Sequence, residues 1–169
     1  MFISTGYELR PITKENVRYC MEVYDSNQDF FILTEGKPAT LQSCMANINA
    51  MPPGFSKWNK FYVSFWEDNN CVAVMDFLKG YPDRECLYLG LLLVHKHWQG
   101  KGVGKRIVNA VLGVAGREGM TRARIAVCDK NTVGIKFWSG LGFAETGRST
   151  ATVGDITMNV IVMEVLCIH

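Results

Sequence analysis

The chain has 169 residues, a formal net charge of +2, 48% hydrophobic residues and 20% charged residues. This length predicts a single domain over residues 1–169 with a substantial core. The small net charge argues against nucleic acid or an anionic membrane surface as a partner. No apolar stretch approaches the ~20 residues that span a bilayer, and the opening MFISTGYELR lacks the basic and apolar regions of a signal peptide. We therefore expect neither a membrane partner nor a signal sequence.

The six cysteines are scattered along the chain without a Cys-x-x-Cys pair. Several lie in apolar, strand-like runs, where an unpaired cysteine behaves as a small hydrophobic side chain. This pattern is typical of a reducing compartment and predicts a cytoplasmic protein, although an even number of cysteines also allows disulfides.

The first half of the chain alternates strand and helix patterns. Apolar residues at helical spacing follow a weak cap at Thr13, and a later helix lies between Pro38 and the Pro52-Pro53-Gly54 stop. The polar segment Glu67–Asn70 is typical of a hairpin turn. In chain order we predict a strand over 7–12, a helix from Thr13 that ends within 25–31, a helix over 39–48, and strands over 61–66 and 71–78.

The central stretch changes its pattern at a glycine-rich loop. Cys86–Val94 is short and almost wholly apolar, which favours a buried strand. The loop Gln99–Gly104 follows, and apolar residues four apart from Val103 to Ala115 then predict one face of a helix that Gly119 ends. The sequence therefore predicts strand, glycine-rich turn and helix in this region.

Such a turn can bind an anion. The first turn of a helix has N–H groups without partners and carries partial positive charge, and glycines let an anion approach the backbone closely. The spacing fits neither the P-loop nor the G-x-G-x-x-G dinucleotide motif, because Lys105 follows three alternate glycines and Arg106 comes next. The alternative is that the glycines only make a tight turn between strand and helix.

The second half of the chain closes the predicted sheet. Asn131 can cap a helix, and Gly154-Asp155 is typical of a turn between two strands. We predict a strand over 122–127, a helix from Asn131 to about Leu141, and strands over 143–150 and 157–166. The mixture predicts an α+β fold in which helices layer a sheet.

These motifs together resemble the GNAT (general N-acetyltransferase) superfamily of acyltransferases. Gln99-Gly100-Lys101-Gly102-Val103-Gly104 matches the family's (Arg/Gln)-x-x-Gly-x-(Gly/Ala) pyrophosphate loop. Downstream, Asn131, Lys136-Phe137-Trp138 and Gly140-Leu141-Gly142-Phe143 resemble the family's Asn…Phe-Tyr…Leu-Gly-Phe segment. The resemblance implies a GNAT-type mixed central sheet of about seven strands flanked by about four helices.

The resemblance also implies an enzyme that moves an acetyl group from acetyl-CoA to a primary amine of a small molecule or peptide, by direct attack and without a metal. The coenzyme pyrophosphate would bind the loop, the pantetheine arm would pair with an exposed strand edge, and Gly90 would allow that strand to bulge. Asn131 would contact the coenzyme, and Trp138 would pack against the coenzyme or the core. The implied coenzyme-binding residues are Leu92, Leu93, Val94, Gln99, Gly100, Lys101, Gly102, Val103, Gly104, Lys105, Asn131 and Trp138.

The proton-transfer groups depart from the family pattern. Trp138 stands where many relatives carry a tyrosine that protonates the leaving thiolate, and an indole cannot do this. Ala126 stands where some relatives carry a glutamate base. Tyr88, near the position of a glutamate in histone-type relatives, is the candidate catalytic residue and would relay a proton through water. Alternatively, Tyr88 is a half-buried residue that only packs in the fold.

The acceptor site is expected in the amino-terminal half, with the entrance shaped by Pro52-Pro53-Gly54. The candidate residues are aromatic (Phe30, Phe31, Trp58, Trp66) or carboxylates that could hold a cationic amine (Glu35, Asp76, Asp83, Glu85). His95 and His97 are expected to be loop residues rather than metal ligands, and Cys128 to be a packing residue.

Two other functions stay open: a coenzyme A-binding sensor with little catalysis, and a general phosphate-ligand binder. The apolar segment 156–166 would permit a homodimer, although core packing explains the same residues.

Overall fold

A seven-stranded mixed sheet runs through the molecule, in a computed structural model that describes residues 5–154 and 156–167. Asp155, half of the predicted closing turn, and the first four residues of the opening segment lie outside the described residues. The strands are β1 (Glu8–Pro11), β2 (Lys60–Glu67), β3 (Asn70–Lys79), β4 (Cys86–Val94), β5 (Arg122–Cys128), β6 (Ala144–Val153) and β7 (Ile156–Leu166).

The spatial order of the strands is β1-β2-β3-β4-β5-β7-β6. Within the described residues, β4 and β5 pair in parallel, and all the remaining pairs of neighbouring strands are antiparallel. The predicted strands are confirmed, and the bounds of β4 are those predicted. The turn between β2 and β3 is confirmed too, because Asp68 and Asn69 adopt the positive φ values of 46° and 66° that a tight hairpin turn requires.

Helices cover both faces of the sheet. They are α1 (Met21–Asp25), α2 (Gln28–Glu35), α3 (Leu41–Asn47), α4 (Val103–Arg117) and α5 (Thr132–Gly140), with short 3₁₀ turns at 17–20, 57–59 and 96–98. The predicted helices after the glycine loop and after Asn131 are confirmed. None of the helices in the described ranges is long and apolar enough to cross a membrane.

The amino-terminal helical region differs from the prediction. The sequence predicts one helix that ends within residues 25–31, but the chain bends at Asn27 and resumes helix at Gln28, so the described residues form five helices, in line with the expected number of about four. Asn27 makes this bend because its side chain donates to the Val23 carbonyl at 2.8 Å and so competes with the regular helical hydrogen bonds. The new helix ends at Gly36, whose left-handed φ of 69° is a typical helix stop.

The next helix is shorter than predicted. It begins at Leu41 rather than residue 39, because Thr40 and Ser43 form a reciprocal capping box: the Ser43 N–H donates to Thr40 Oγ1 and the Thr40 N–H donates to Ser43 Oγ. Pro38 therefore precedes the cap instead of starting the helix.

Two hydrophobic cores lie on opposite faces of the sheet. One packs α4 and α5 against the sheet and includes Phe65, Phe77 and Ile107. The other packs α1 to α3 against the opposite face and includes Tyr24 and Phe31. In β7, three apolar residues are buried (Val160, Ile161 and Met163), and the last two belong to the first core. Core packing thus accounts for much of the apolar segment that would also permit a homodimer.

The first core predicts a large loss of stability on truncation of Phe77. Its ring is fully buried and stacks on Phe61 with centroids 5.0 Å apart. We expect Phe77→Ala to lower the free energy of unfolding by about 3–5 kcal/mol, through lost burial and the cavity left behind. Urea denaturation measures this loss. Trp58→Ala is the matched control: its ring is 81% exposed, so a loss as large as that of Phe77→Ala would contradict the assignment of the core.

Candidate active site

The two central strands separate after three paired residues. β4 and β5 pair at Cys86–Arg122, Leu87–Ala123 and Tyr88–Arg124. Beyond Tyr88, β4 stays paired with β3 as far as Val94, and β5 stays paired with β7 as far as Cys128. In the described part of the chain the remaining edge of β4 therefore has no strand partner on the β5 side. We call the space between the diverging strands the wedge, with its narrow end at Tyr88.

A bulge in β4 lies just beyond the narrow end. Asp76 of β3 pairs with Leu91 and Phe77 pairs with Leu89, so Gly90 is an extra residue without a partner. This confirms the predicted bulge. Its consequence is that the alternation reverses: before Gly90, Leu87 and Leu89 face the first core, whereas after it Leu92 packs on the first core and Leu93 lies in the second.

The glycine loop forms the open end of the wedge. Gly100 and Gly102 have φ values of 73° and 79°, and a Cβ on either would meet no atom within 4 Å. Within the described residues, none of the backbone N–H groups of residues 100–105 donates a hydrogen bond to a protein acceptor, and Gly102 offers no side chain to cap α4. Free N–H groups at a helix N-terminus, with the exposed Lys101 and Lys105 beside them, fit a phosphate group.

The Gln99 side chain joins this loop to the end of β4. Its Nε2 donates to the Val94 carbonyl at 2.8 Å and to Asn27 Oδ1 at 3.1 Å, and Asn27 Nδ2 donates to the same Val94 carbonyl at 3.1 Å. We call these three residues the clamp. The Gln99 side chain thus fixes the end of β4. The Gln99 backbone is not used in the clamp. Sequence reasoning missed Asn27, because nothing in the local pattern shows that it meets a residue far along the chain.

Gly104 and Trp138 hold the helices behind the loop together. A Cβ on Gly104 would lie 3.1 Å from the Phe137 ring, so a glycine is needed for α4 to pack this closely on α5. Trp138 is 9% exposed and packs edge to face with Phe137 and Phe143, with centroids 4.9 Å and 5.1 Å apart. Of the two environments predicted for Trp138, the structure places it in the core.

Asn131 caps α5, as predicted. Its Oδ1 accepts from the Gly134 N–H at 2.9 Å, while its Nδ2 has no acceptor within the described residues. A Cβ on Gly134 would lie 2.6 Å from Nδ2, so the glycine makes room for the amide. The cap and a coenzyme contact are compatible, because they use different atoms of the same amide.

A cavity of about 250 Å³ lies at the narrow end of the wedge. It brings together the predicted Tyr88, the predicted entrance residue Pro52 and the bulge at Gly90. Tyr88 is half-buried and packs edge to face on Tyr81 with centroids 5.5 Å apart, and burial raises the pKa of its hydroxyl. The full lining is Ala50, Met51, Pro52, Lys60, Asp76, Leu78, Tyr81, Tyr88 and Gly90.

Of the four candidate carboxylates, the cavity contains Asp76. Its Oδ2 accepts from Lys60 Nζ at 2.6 Å, and the Asp76 and Lys60 side chains are 18% and 4% exposed. Burial raises the pKa of Asp76, and the Lys60 ammonium opposes that shift. The other three are absent from its lining: Asp83 pairs with Arg122, Glu85 is exposed and Glu35 is on α2.

The aromatic candidates and the histidines do not form a site together. Phe31 belongs to the second core, with Phe30 packed against it, the Trp66 indole N–H donates to Ser64 Oγ at 2.9 Å, and Trp58 lies on the surface. His95 Nδ1 accepts from the His97 N–H within the loop after β4. Residues 5–154 and 156–167 contain no group of three or more side chains that could hold a metal ion. Cys128 is buried, as expected for a packing residue.

In the part of the chain that the structure describes, an unpaired strand edge thus runs between the N-terminus of α4 and a small cavity, an arrangement with room for an extended ligand. The model of the acetyltransferase (GNAT) family matches residues 20–143. The chain therefore belongs to the GNAT acetyltransferase family, whose members use acetyl-CoA, and it is an N-acetyltransferase by class. No curated protein matches the chain.

Solved structures show the same fold. An acetyltransferase from Thermus thermophilus is 22% identical with a TM-score of 0.71, and the match covers 98% of this chain and 100% of that chain. The ribosomal-protein-S18-alanine N-acetyltransferase from Escherichia coli is 12% identical with a TM-score of 0.67, over 95% and 94%. The PaiA N-acetyltransferase from Thermoplasma acidophilum, in complex with coenzyme A, is 15% identical with a TM-score of 0.63, over 94% and 97%. At these identities the likeness establishes the fold.

Two glycines of α4 give a matched test of the packing behind the loop. We expect Gly104→Ala to destabilise the protein, because its methyl group would crowd the Phe137 ring at 3.1 Å. Gly113→Ala should instead stabilise by up to about 1 kcal/mol, because its Cβ would meet Arg117 Nη1 at an ordinary 3.6 Å and alanine favours helix. Thermal unfolding of both variants measures the difference. Equal shifts of the two melting temperatures would contradict the close contact.

Proposed function

We propose that this protein transfers the acetyl group of acetyl-CoA to a primary amine by direct attack. The observation that carries the proposal is the row of free N–H groups of residues 100–105 at the open end of the wedge. These six consecutive N–H groups have no acceptor among the described residues, and such unpaired donors are costly unless water or a ligand satisfies them. A pyrophosphate supplies several negatively charged oxygens at one place, so it matches both the donors and the helix dipole.

The free edge of β4 suits the remainder of the donor. The pantetheine arm carries amides that can pair with Leu92, Leu93 and Val94 as an added strand would. The Val94 carbonyl already accepts from both amides of the clamp, so the arm would use the other edge groups. An arm that starts at the loop and follows this edge leads toward Gly90, where the cavity begins. One edge N–H would then polarise the thioester carbonyl as negative charge develops on its oxygen.

The cavity supplies an acceptor site at the place where the thioester would arrive. It holds Asp76, which can attract an ammonium, and Tyr88, which we predict relays a proton. The raised pKa of Tyr88 keeps its hydroxyl protonated at neutral pH, which suits donation toward a leaving thiolate better than permanent service as a base. The similar structure from Escherichia coli has a ribosomal-protein alanine in its name, and another structure of this fold, 18% identical with a TM-score of 0.70 over 96% of this chain and 99% of that chain, has phosphinothricin in its name. Such different acceptors on one fold mean that the fold alone does not choose the amine.

A coenzyme A-binding sensor with little catalysis is the second candidate. The observation that favours it is Trp138, which fills a core position where many relatives carry an acidic hydroxyl. A thiol-release assay over a panel of primary amines separates the two functions. Turnover with any amine removes the sensor, since a sensor would bind acetyl-CoA without releasing coenzyme A.

The donor site is tested by calorimetric titration with acetyl-CoA, with ATP and NAD as controls. We expect saturable binding of acetyl-CoA with a Kd well below ~1 mM, which corresponds to more than about 4 kcal/mol. Weaker binding of ATP and NAD would show that the edge of β4 contributes as well as the loop. No binding of acetyl-CoA would overturn the proposed function.

Two substitutions of Gly102 separate charge from backbone strain at the loop. Asp and Asn have the same size, and both must adopt the φ of 79° that Gly102 adopts, which Asn and Asp tolerate best among residues with a side chain. We expect Gly102→Asp to abolish acetyl-CoA binding in calorimetry, because it places a negative charge among donors for phosphate, while Gly102→Asn retains measurable binding. Thermal unfolding controls for folding of both. Wild-type affinity in Gly102→Asp would contradict the loop assignment.

A further inference from the structure

We propose that Asp76 binds the acceptor ammonium and acts as the general base that removes its proton, with Lys60 as the positioning residue that holds Asp76 in place. This inference rests on the proposed function and adds to it a base from β3. The base positions of relatives do not supply one here, because Ala126 and Tyr88 occupy them. The proposal depends on where Asp76 lies, which of its atoms are free and what surrounds it.

Asp76 faces the cavity because β4 bulges opposite it. Asp76 pairs with Leu91, and the unpaired Gly90 lies beside that pair. A Cβ on Gly90 would lie 3.6 Å from the Asp76 carbonyl oxygen and 3.9 Å from its carboxyl carbon. A larger side chain at this position would therefore cover the carboxylate. The glycine leaves the carboxylate reachable from the narrow end of the wedge, where an acetyl group would arrive.

One carboxylate oxygen is already used and the other is free. Oδ2 accepts from Lys60 Nζ at 2.6 Å, while Oδ1 accepts no hydrogen bond from the described residues. Nor is Oδ1 among the fully buried polar atoms that lack a partner, which are the Tyr24 and Tyr62 hydroxyls. Oδ1 is thus open to the cavity. An ammonium that donates to Oδ1 would leave the Lys60 bond intact.

The surroundings make this carboxylate more basic than one in water. The groups that face it are Lys60 and Tyr62 from β2 and Tyr81 and Tyr88 from the other cavity walls. Lys60 is the cationic side chain among them, and burial raises the pKa of the Tyr62 and Tyr88 hydroxyls. Burial raises the pKa of Asp76, and Lys60 limits the rise. The Lys60 ammonium favours the ionised carboxylate, and burial makes that carboxylate accept a proton more readily than an exposed aspartate does.

The cavity also indicates the kind of amine. Apart from Lys60 and Asp76, its lining is apolar or aromatic, with Met51, Leu78 and Tyr81 as large wall residues. A volume of about 250 Å³ admits a compact body. The acceptor that fits is a primary amine on a small apolar or aromatic body, whose ammonium reaches Asp76.

The proposed step conserves atoms and charge. The ammonium gives one N–H proton to Asp76 Oδ1, and the neutral amine nitrogen attacks the thioester carbonyl carbon. A C–N bond forms and the C–S bond breaks, so that sulfur leaves with the bonding electron pair. The second N–H proton passes to the thiolate, which becomes the coenzyme thiol, and Asp76 later releases its proton to solvent. The balance needs no oxidant or reductant.

The test compares two amines with the same benzyl body. Benzylamine is an ammonium at pH 7 and needs a base, whereas O-benzylhydroxylamine is neutral at pH 7 and does not. We expect Asp76→Asn to lower kcat/KM for benzylamine by about 10²-fold or more and to affect O-benzylhydroxylamine far less. As the pH rises toward the pKa of benzylamine, the fraction of free amine grows. The loss of kcat/KM for benzylamine in Asp76→Asn should therefore shrink by about tenfold per pH unit. A merely structural role would affect both amines equally at every pH.

Two further variants complete the test. Lys60→Gln removes the charge that opposes burial, so the acid limb of kcat/KM should move to higher pH as the pKa of Asp76 rises. Asp68→Asn is the matched control, because Asp68 is exposed in the turn between β2 and β3 with a φ of 46° that asparagine accepts. We expect wild-type kinetics from it, and thermal unfolding checks that all variants fold.

The outcomes separate this inference from the proposed function. Wild-type kcat/KM for benzylamine in Asp76→Asn, or an equal deficit with both amines, overturns Asp76 as the base. A wild-type protein that binds acetyl-CoA but acetylates neither amine overturns the cavity as an amine site and leaves the donor site standing. A protein that does not bind acetyl-CoA overturns the proposed function itself.

Discussion

The separation of β4 from β5 is the constraint on which the candidate site depends. Three residue pairs hold the strands together, and each strand then follows its other neighbour. A sheet that splits in this way exposes backbone donors and acceptors at its centre, where they would otherwise be paired. The surrounding elements keep the split open: α4 and α5 pack on one face of the sheet, and α1 to α3 pack on the other. The exposed edge is thus stabilised by packing on both faces and remains free for a ligand.

Both ends of the wedge are made by glycines, for different reasons. At the open end, Gly100 and Gly102 provide the left-handed backbone of a tight turn, whose N–H groups have no acceptor among the described residues. At the narrow end, Gly90 provides an unpaired residue and leaves Asp76 uncovered. Between them the clamp joins the bend before α2 to the end of β4. The amino-terminal helices and the donor loop are therefore positioned by one small set of hydrogen bonds.

Much of the fold could be predicted because local patterns and tertiary packing agree. The bounds of β4, the helix after the glycine loop and the cap at Asn131 follow from apolar spacing and from residues with special backbone preferences. The helix α2 was missed because its start depends on Asn27, whose side chain interrupts one helix and is itself held by the distant Val94 and Gln99. Local spacing carries no information about such a contact.

The sequence by itself determined the family and the strand–loop–helix unit, since both depend on residues that are neighbours in the chain. Only the tertiary structure decided which of four candidate carboxylates meets Tyr88, because Asp76 and Tyr88 lie on different strands and a bulge at Gly90 brings both to one cavity. It also decided that the Gln99 side chain hydrogen-bonds to the Val94 carbonyl and to Asn27. Strand register and burial set these positions, and both arise from contacts between residues far apart in the sequence.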